Sequence, residues 1–478
     1  MKLSKERDNK YKKLIKNILL LFTGNFVSKI LSFLMVPFYT SMLSTSDYGI
    51  SDLISTTVLL VLPFFSVLMD EAVMRFTLEE TNDNKQVFTI AFFISTIGFI
   101  LALAISPIIL LFSNLKKYYL YIILYYIVSW IYNIVFSYVK GINKVALTTI
   151  AGIIHTFSFL GLNILFLAVL KIGITGYLLA ISLSNGISII YLVLKCKLYK
   201  NFISIKSLDY KMAKKMIRYS LPLIPDYISW WFNNASDRYI LAFFSTTSAV
   251  GIYSVAYKIP SILSSLTSIF SSAWKISSVD DFGSEQSIKF YNSIYKTYIS
   301  TLFICASFLI MFTRILARLL FSKGFYKAWE ITPILIFAFI YSALAQYIAS
   351  IFNASKKTNK VFFASTLGAI INILLNFLLI PFFSGIGAAI ATTAGYITIL
   401  VINMINTQKI LKIDLNLKNI ITQSILLIIE IVGIMLNIKM GSIISLICLM
   451  FILIYNKENL ILLYKTGVSK VLKKGEKL

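Results

Sequence analysis

Four ionisable side chains stand inside stretches that are otherwise suited to lipid. They are Lys29 in "NFVSKILSFLMVPF", Asp237 and Arg238 in "WWFNNASDRYILAFF", and Lys258 in "GIYSVAYKIPSIL". A charge at the centre of such a run costs at least ~2.5–3.5 kcal/mol to bury in a bilayer, so it faces a watery cavity or a partner. Three of the four are cations, and a cationic set can offset the charge of an anion on a low-dielectric path. Asp237 can instead exchange a proton or bind a cation.

The residues around them are polar at helical spacing. One run reads Ser254, Tyr257/Lys258, Ser261, Ser264/Ser265, Ser268 and Ser271/Ser272. Others carry Asn25, Ser28/Lys29, Ser32 and Tyr39, or Asp52, Thr56, Ser66 and Asp70, or Trp230, Asn233/Asn234 and Asp237. Single serines serve close helix packing, but packing does not account for the lysines and aspartates. Adjacent helical residues point ~100° apart, so Asp237 and Arg238 do not simply neutralise each other. Arg238 either joins the cationic set or pairs with an acid such as Asp70 or Glu71. The candidate substrate-binding set is Asn25, Lys29, Asn233, Asp237, Arg238, Tyr257, Lys258 and Ser261. The candidates for ion coupling are Asp237, Asp70 and Glu71.

The elements that must hold these residues are membrane helices. The chain has 478 residues, 58% hydrophobic and 14% charged, with a mean hydropathy of +0.82. Soluble domains hold about 25% charged residues. Fourteen runs are long enough to span, against a requirement of ~20 apolar residues. The first six lie near 14–43, 50–73, 87–112, 118–139, 146–170 and 174–194. The next six lie near 218–244, 249–274, 297–321, 331–353, 360–382 and 386–407, and the last two near 417–437 and 441–463. With this alternation, 34 Lys and Arg fall on the side of the termini and 8 on the other. The positive-inside rule therefore puts both termini in the cytoplasm. The same rule explains the net charge of +25 without nucleic acid. In the loop 195–217, Leu208, Met212 and Met216 recur every four residues among lysines, which fits either a short interfacial helix or a solvated basic loop.

The first twelve spans repeat. "STSDYGISDL" matches "TTSAVGIYSV", with Gly49 on Gly251, and "NKVALTTIAGIIHTF" matches "NKVFFASTLGAIINI", with Gly152 on Gly368. Spans 1–6 thus resemble spans 7–12 in the same orientation, a transporter plan that places substrate between the halves. The expected organisation is an all-α polytopic membrane protein. It has an N-terminal lobe (1–194), a cytoplasmic segment (195–217), a C-terminal lobe (218–407), and two extra spans with a basic tail (408–478). Pro63 and Pro260 are expected to interrupt spans 2 and 8.

Other chemistry finds no support. Cys196, Cys305 and Cys448 are scattered and read as free thiols. His155 lacks companions for a metal site and reads as a packed polar residue. No phosphate-binding GxxxxGK[ST] is present, no cofactor is implied, and no loop carries a catalytic constellation.

The stretches "NFVSKILSFLMVPFYTSMLSTSDYGISDL", "EAVMRF" and "YSLPLIPDYISWWFNNASDRYILAFFSTTSAVGIYSVAYKIPSIL" resemble the Wzx-type polysaccharide repeat-unit flippases. These belong to the multidrug/oligosaccharidyl-lipid/polysaccharide (MOP) exporter superfamily. The resemblance implies a transporter, not an enzyme. Its substrate would be an oligosaccharide on undecaprenyl diphosphate, moved across the bacterial cytoplasmic membrane for capsule, exopolysaccharide or O-antigen synthesis. It further implies a cationic cavity, for which Lys29 and Lys258 occupy similar contexts, and drive from an ion gradient or the membrane potential. The pathway's polymerase and glycosyltransferases are the further partners it suggests. The alternative within the superfamily is a drug/cation antiporter, whose cavity should be acidic.

Overall fold

The computed structural model describes residue 31 and residues 33–79, 82–204, 207–277, 285–355, 359–436 and 438–463. Every element is helical. After α1 (Val36–Met42) come α2 (Thr45–Ser66), α3 (Met69–Thr77), α4 (Asn84–Ile105), α5 (Tyr119–Gly141), α6 (Val145–Asn163) and α7 (Gly173–Cys196). The middle of the chain forms α8 (Tyr210–Ser220), α9 (Ile224–Phe244), α10 (Thr247–Ala256) and α11 (Pro260–Ser277). The rest forms α12 (Glu285–Leu320), α13 (Ala328–Ala354), α14 (Asn359–Gln408), α15 (Leu417–Leu436), α16 (Ile438–Tyr455) and α17 (Lys457–Leu463). Among the described residues, nine helices are long and apolar enough to cross a membrane, and α10 and residues 440–455 add two shorter apolar ones. Among the described residues, the expected spans fall on helix. Span 1 is described only from Leu31, and spans 11 and 12 are the two parts of α14, which turns at Ser384 (φ 49°).

The surface is apolar, as a lipid-facing protein requires. Leu111, Leu436, Phe243 and Phe382 are all more than three-quarters exposed. Turns between spans are set by local chemistry. Ser44 and Asp83 cap α2 and α4 by accepting hydrogen bonds from the backbone N–H of Asp47 (3.1 Å) and Lys85 (2.9 Å).

The chain packs as two compact units. One comprises Ile30–Ala242 with Thr246–Gly251; the other includes Phe243–Ser245 and Ile252–Leu478. The core of the first runs through Ile54, Val58, Met69, Phe88, Trp130 and Leu178. The lysine-rich segment before span 7 is a helix there: Asp209 caps α8 through the Lys211 N–H at 2.8 Å. Its Met216 is fully buried in that core, and Leu208, Met212 and Ile217 pack against it. The second unit is held by stacked aromatics. Trp274 lies 4.9 Å from Tyr347 at 15°, and Phe270 lies 4.3 Å from Tyr298 at 17°. The Trp274 Nε1–H donates to Ser350 at 2.7 Å. His155 packs against Phe159 and Tyr132, as the sequence suggests.

Two features differ from expectation. Span 2 does not break at Pro63, which lies inside α2. The break comes at Val67 and Leu68, both left-handed (φ 54° and 47°). A left-handed L-residue costs ~1–2 kcal/mol, which the surrounding packing must offset. Membrane helices tolerate an interior proline where neighbouring groups satisfy the freed carbonyl. The repeat glycines also differ from each other. A methyl on Gly49 would collide with Thr247 O, and one on Gly251 with Thr45 O; among the described residues a methyl on Gly152 would meet nothing within 4 Å, whereas one on Gly368 would meet Ile399 and Gly395.

Candidate functional site

In the first unit, α9 is stitched to α2 along three turns. The Trp231 indole N–H donates to Thr56 O at 2.9 Å. Further along both helices, Arg238 Nε donates to Asp52 Oδ2 at 2.5 Å. The Tyr239 hydroxyl is bonded to Thr57 and lies 3.3 Å from Leu53 O. Arg238 also donates through Nη1 to Asn234 O (2.6 Å) and to Asp237 Oδ1 (3.2 Å). Asp237 Oδ1 accepts the Arg238 backbone N–H at 2.9 Å as well.

The guanidinium is thus held between two carboxylates, with Arg238 9% and Asp237 2% exposed. Two sequence expectations change here. The acid of span 2 that meets Arg238 is Asp52, not Asp70 or Glu71, because only Asp52 shares the level of Arg238 where α2 and α9 pack. Asp237 and Arg238 do touch: the long arginine side chain folds back over the turn, which the ~100° separation of their Cβ directions does not prevent.

Asn233 and Asn234 turn their amides onto their own helix, donating to Ser229 O (2.9 Å) and Trp230 O (2.7 Å). Asp70 and Glu71 open α3 directly after the left-handed pair, where the helix dipole favours acids. Below Thr57 lies an apolar cavity of about 250 Å³ lined by Val61, Phe99, Ile108, Phe112 and Tyr126 among others. Its hydroxyls from Thr57 and Ser106 are bonded to Leu53 O and Leu103 O, and most of its lining is hydrocarbon.

In the second unit, span 8 is interrupted at Tyr257–Ile259, between α10 and α11, with Pro260 opening α11 as expected. Lys258 sits in this break, half-buried, and its carbonyl accepts the Ser261 hydroxyl at 2.7 Å. Neutral polar groups lead away from it. The Tyr257 and Tyr253 hydroxyls are 3.3 Å apart, and Tyr253 lies 3.4 Å from the Thr392 hydroxyl. Thr392 accepts from Asn372 (3.4 Å), which accepts from Asn376 (3.0 Å). Asn372, Asn376 and Thr392 are buried, and sequence reasoning missed their stripe. The signal is there: 372 and 376 are one turn apart in an apolar run. Asn25 and Lys29 lie outside the described residues.

The chain matches the polysaccharide biosynthesis protein family over residues 14–274. None of the curated proteins matches it in sequence. Among solved structures it is similar to the lipid II flippase MurJ in an inward closed conformation. That likeness covers 92% of this chain and 99% of MurJ, with a TM-score of 0.69 and 16% identity. It is also similar to an inward-facing multidrug resistance MATE family transporter of the MOP superfamily, over 84% of this chain and 97% of that one (TM-score 0.67, 12% identity). A MOP transporter from Pyrococcus furiosus, described as having a binding pocket of reverse polarity, matches with a TM-score of 0.58 at 11% identity, covering 84% of this chain and 95% of that one.

Proposed function

The chain belongs to the polysaccharide biosynthesis protein family and has the fold of the MOP superfamily transporters, a multi-pass membrane architecture. From this premise we propose that it is a Wzx-type flippase. It moves an oligosaccharide linked to undecaprenyl diphosphate from the inner to the outer leaflet of the bacterial cytoplasmic membrane, by alternating access and with both termini in the cytoplasm. The observation that carries this reading is the span of the family match: residues 14–274 contain Lys29, Asp237, Arg238 and Lys258.

Within that reading the charges divide their work. Arg238 is engaged by Asp52 and Asp237, so it braces α9 on α2 and offers little charge to a diphosphate. The counter-charge falls to Lys29 and Lys258, each able to meet phosphate as a point charge. Tyr257, Ser261, Asn25 and Asn233 supply hydroxyls and amides for the glycan. Asp237, Asp70 and Glu71 are the acids of these spans open to ion coupling. A polymerase and glycosyltransferases would act beside it. The second reading, a drug/cation antiporter, draws on one observation: two carboxylates, Asp52 and Asp237, stand together on these spans.

One experiment separates the two. Lys29→Ala and Lys258→Ala should each abolish surface polysaccharide at normal protein abundance, with lipid-linked precursor accumulating in the inner leaflet. Normal export in both variants would exclude a flippase that relies on these lysines, and efflux of an organic cation dependent on Asp52 or Asp237 would favour the antiporter. The orientation has its own test. A cysteine at Lys117, in the exposed loop between spans 3 and 4, should react with an impermeant thiol reagent in intact cells, and one at Tyr210 (78% exposed) should not. The reverse pattern overturns it.

A further inference from the structure

Spans 13 and 14 lie outside the internal repeat, yet they contain a fully buried acid. Glu430 on α15 has 0% exposure. Its Oε2 accepts the Ser307 hydroxyl from α12 at 2.7 Å. Its Oε1 is buried, and among the described residues it has no hydrogen-bond partner and no lysine or arginine bridges the carboxyl.

Glu430 belongs to a polar seam. On α12, Ser300, Ser307 and Arg314 recur every seven residues, two turns apart and so on one face. Ser300 meets Asn459 of α17 at 2.7 Å, and Arg314 Nη2 donates to Ile434 O at 2.5 Å. Arg314 also lies over the Trp329 ring, 4.1 Å from its centroid. On α15, Gln423 precedes Glu430 by the same two turns. Gln423 donates to Asn419 and accepts from Asn456 at 2.7 Å. Between these levels, Ser424 is hydrogen-bonded to the Tyr341 hydroxyl of α13 at 2.8 Å. The helices packed on α15 are α12, α13 and α16. Their titratable or charged groups near this depth are Cys305 and Arg314 of α12, Tyr341 of α13 and Cys448 of α16, the last close enough to feel the charge of Glu430.

A carboxylate with one hydrogen bond and no cation is the unfavourable form in such a place. The acid form suits it: Oε2 keeps the serine, and Oε1 carries hydrogen. We propose that Glu430 is a proton-binding site of this transporter, taking a proton onto Oε1 and releasing it along the polar seam that runs towards Asn459. The balance is simple. One proton from water at the Asn459 end converts the carboxylate to the acid, and the reverse step returns it. The site belongs to α12, α15 and α16, and it requires neither the lysines nor the lipid-linked substrate of the flippase reading.

The test uses the full chain in liposomes without substrate, so its result is independent of that reading. Infrared difference spectra are recorded between alkaline and acidic buffer. A protonated-carboxyl C=O band should grow on acidification and be missing in Glu430→Gln. Removing the hydroxyl that favours the charged form should move the band's midpoint upward, by about one to two pH units in Ser307→Ala. Identical difference spectra in wild type and Glu430→Gln overturn the proposal. So does an unshifted midpoint in Ser307→Ala, which also decides the matter if the glutamine variant fails to fold.

Discussion

In one unit a guanidinium lies between two carboxylates; in the other a carboxylate has a single serine. Arg238 meets Asp52, Asp237 and the Asn234 carbonyl, and these contacts join or stiffen α2 and α9. Among the described residues, Glu430 is hydrogen-bonded through its side chain to the Ser307 hydroxyl alone. Asp237 and Glu430 are both almost fully buried (2% and 0% exposed), so burial alone says little about what a charge does. A charge with full partners fixes two helices together, and removing it strands those partners. A group with one neutral partner can change its protonation while the packing stays as it is. The first arrangement resists exchange, and the second invites it.

Breaking the first site should have the largest effect. Arg238→Ala removes the guanidinium that Asp52 and Asp237 both contact, at a cost of ~3–5 kcal/mol. Most folded protein should be lost from the membrane, as read by immunoblot and thermal melting. Replacing both acids by asparagine in the same chain should restore part of it. Unchanged abundance in Arg238→Ala would remove the bracing role.

The glycine crossing comes next. Gly49→Val and Gly251→Val each drive a side chain into the facing backbone, at ~1–3 kcal/mol or more. The two losses of melting temperature should be similar, and a large inequality would mean that the contact is not reciprocal. Trp231→Phe removes one hydrogen bond and part of a buried ring, for ~1–2 kcal/mol. The smallest effect should be in Glu430→Gln, where an amide matches the neutral acid. Its melting temperature should stay level or rise, and a fall as large as that of Arg238→Ala would erase the contrast between the sites.

The spans were legible because apolar length is a property of each segment alone. So was the concentration of charge in "NNASDRY". The partner of Arg238 was not, because Asp52 stands in a stripe with Thr56 and Asp70, and which of them meets α9 depends on how far one helix is shifted along the other. The break at Val67–Leu68 was hidden for a different reason. Neither residue favours a left-handed backbone, so only tertiary packing can impose it, and Pro63 was the stronger local signal. Glu430 was hidden as well: it is the one polar residue of "LLIIEIVGI", and its partner Ser307 comes from a helix more than a hundred residues away in the chain.

The approach of α2 to α10 carries a consequence of another kind. Thr45 is hydrogen-bonded to Ser248 and Ser46 to Thr247, both at 2.7 Å. With Gly49 on Gly251, exchanging the two segments turns each of these bonds into the other. Self-complementary contacts of this sort belong to two identical subunits related by a dyad. In this chain both partners lie in one polypeptide. Duplication and fusion of the gene for a homodimer would leave a crossing of this form, and the Gly49–Gly251 contact has that dyad symmetry.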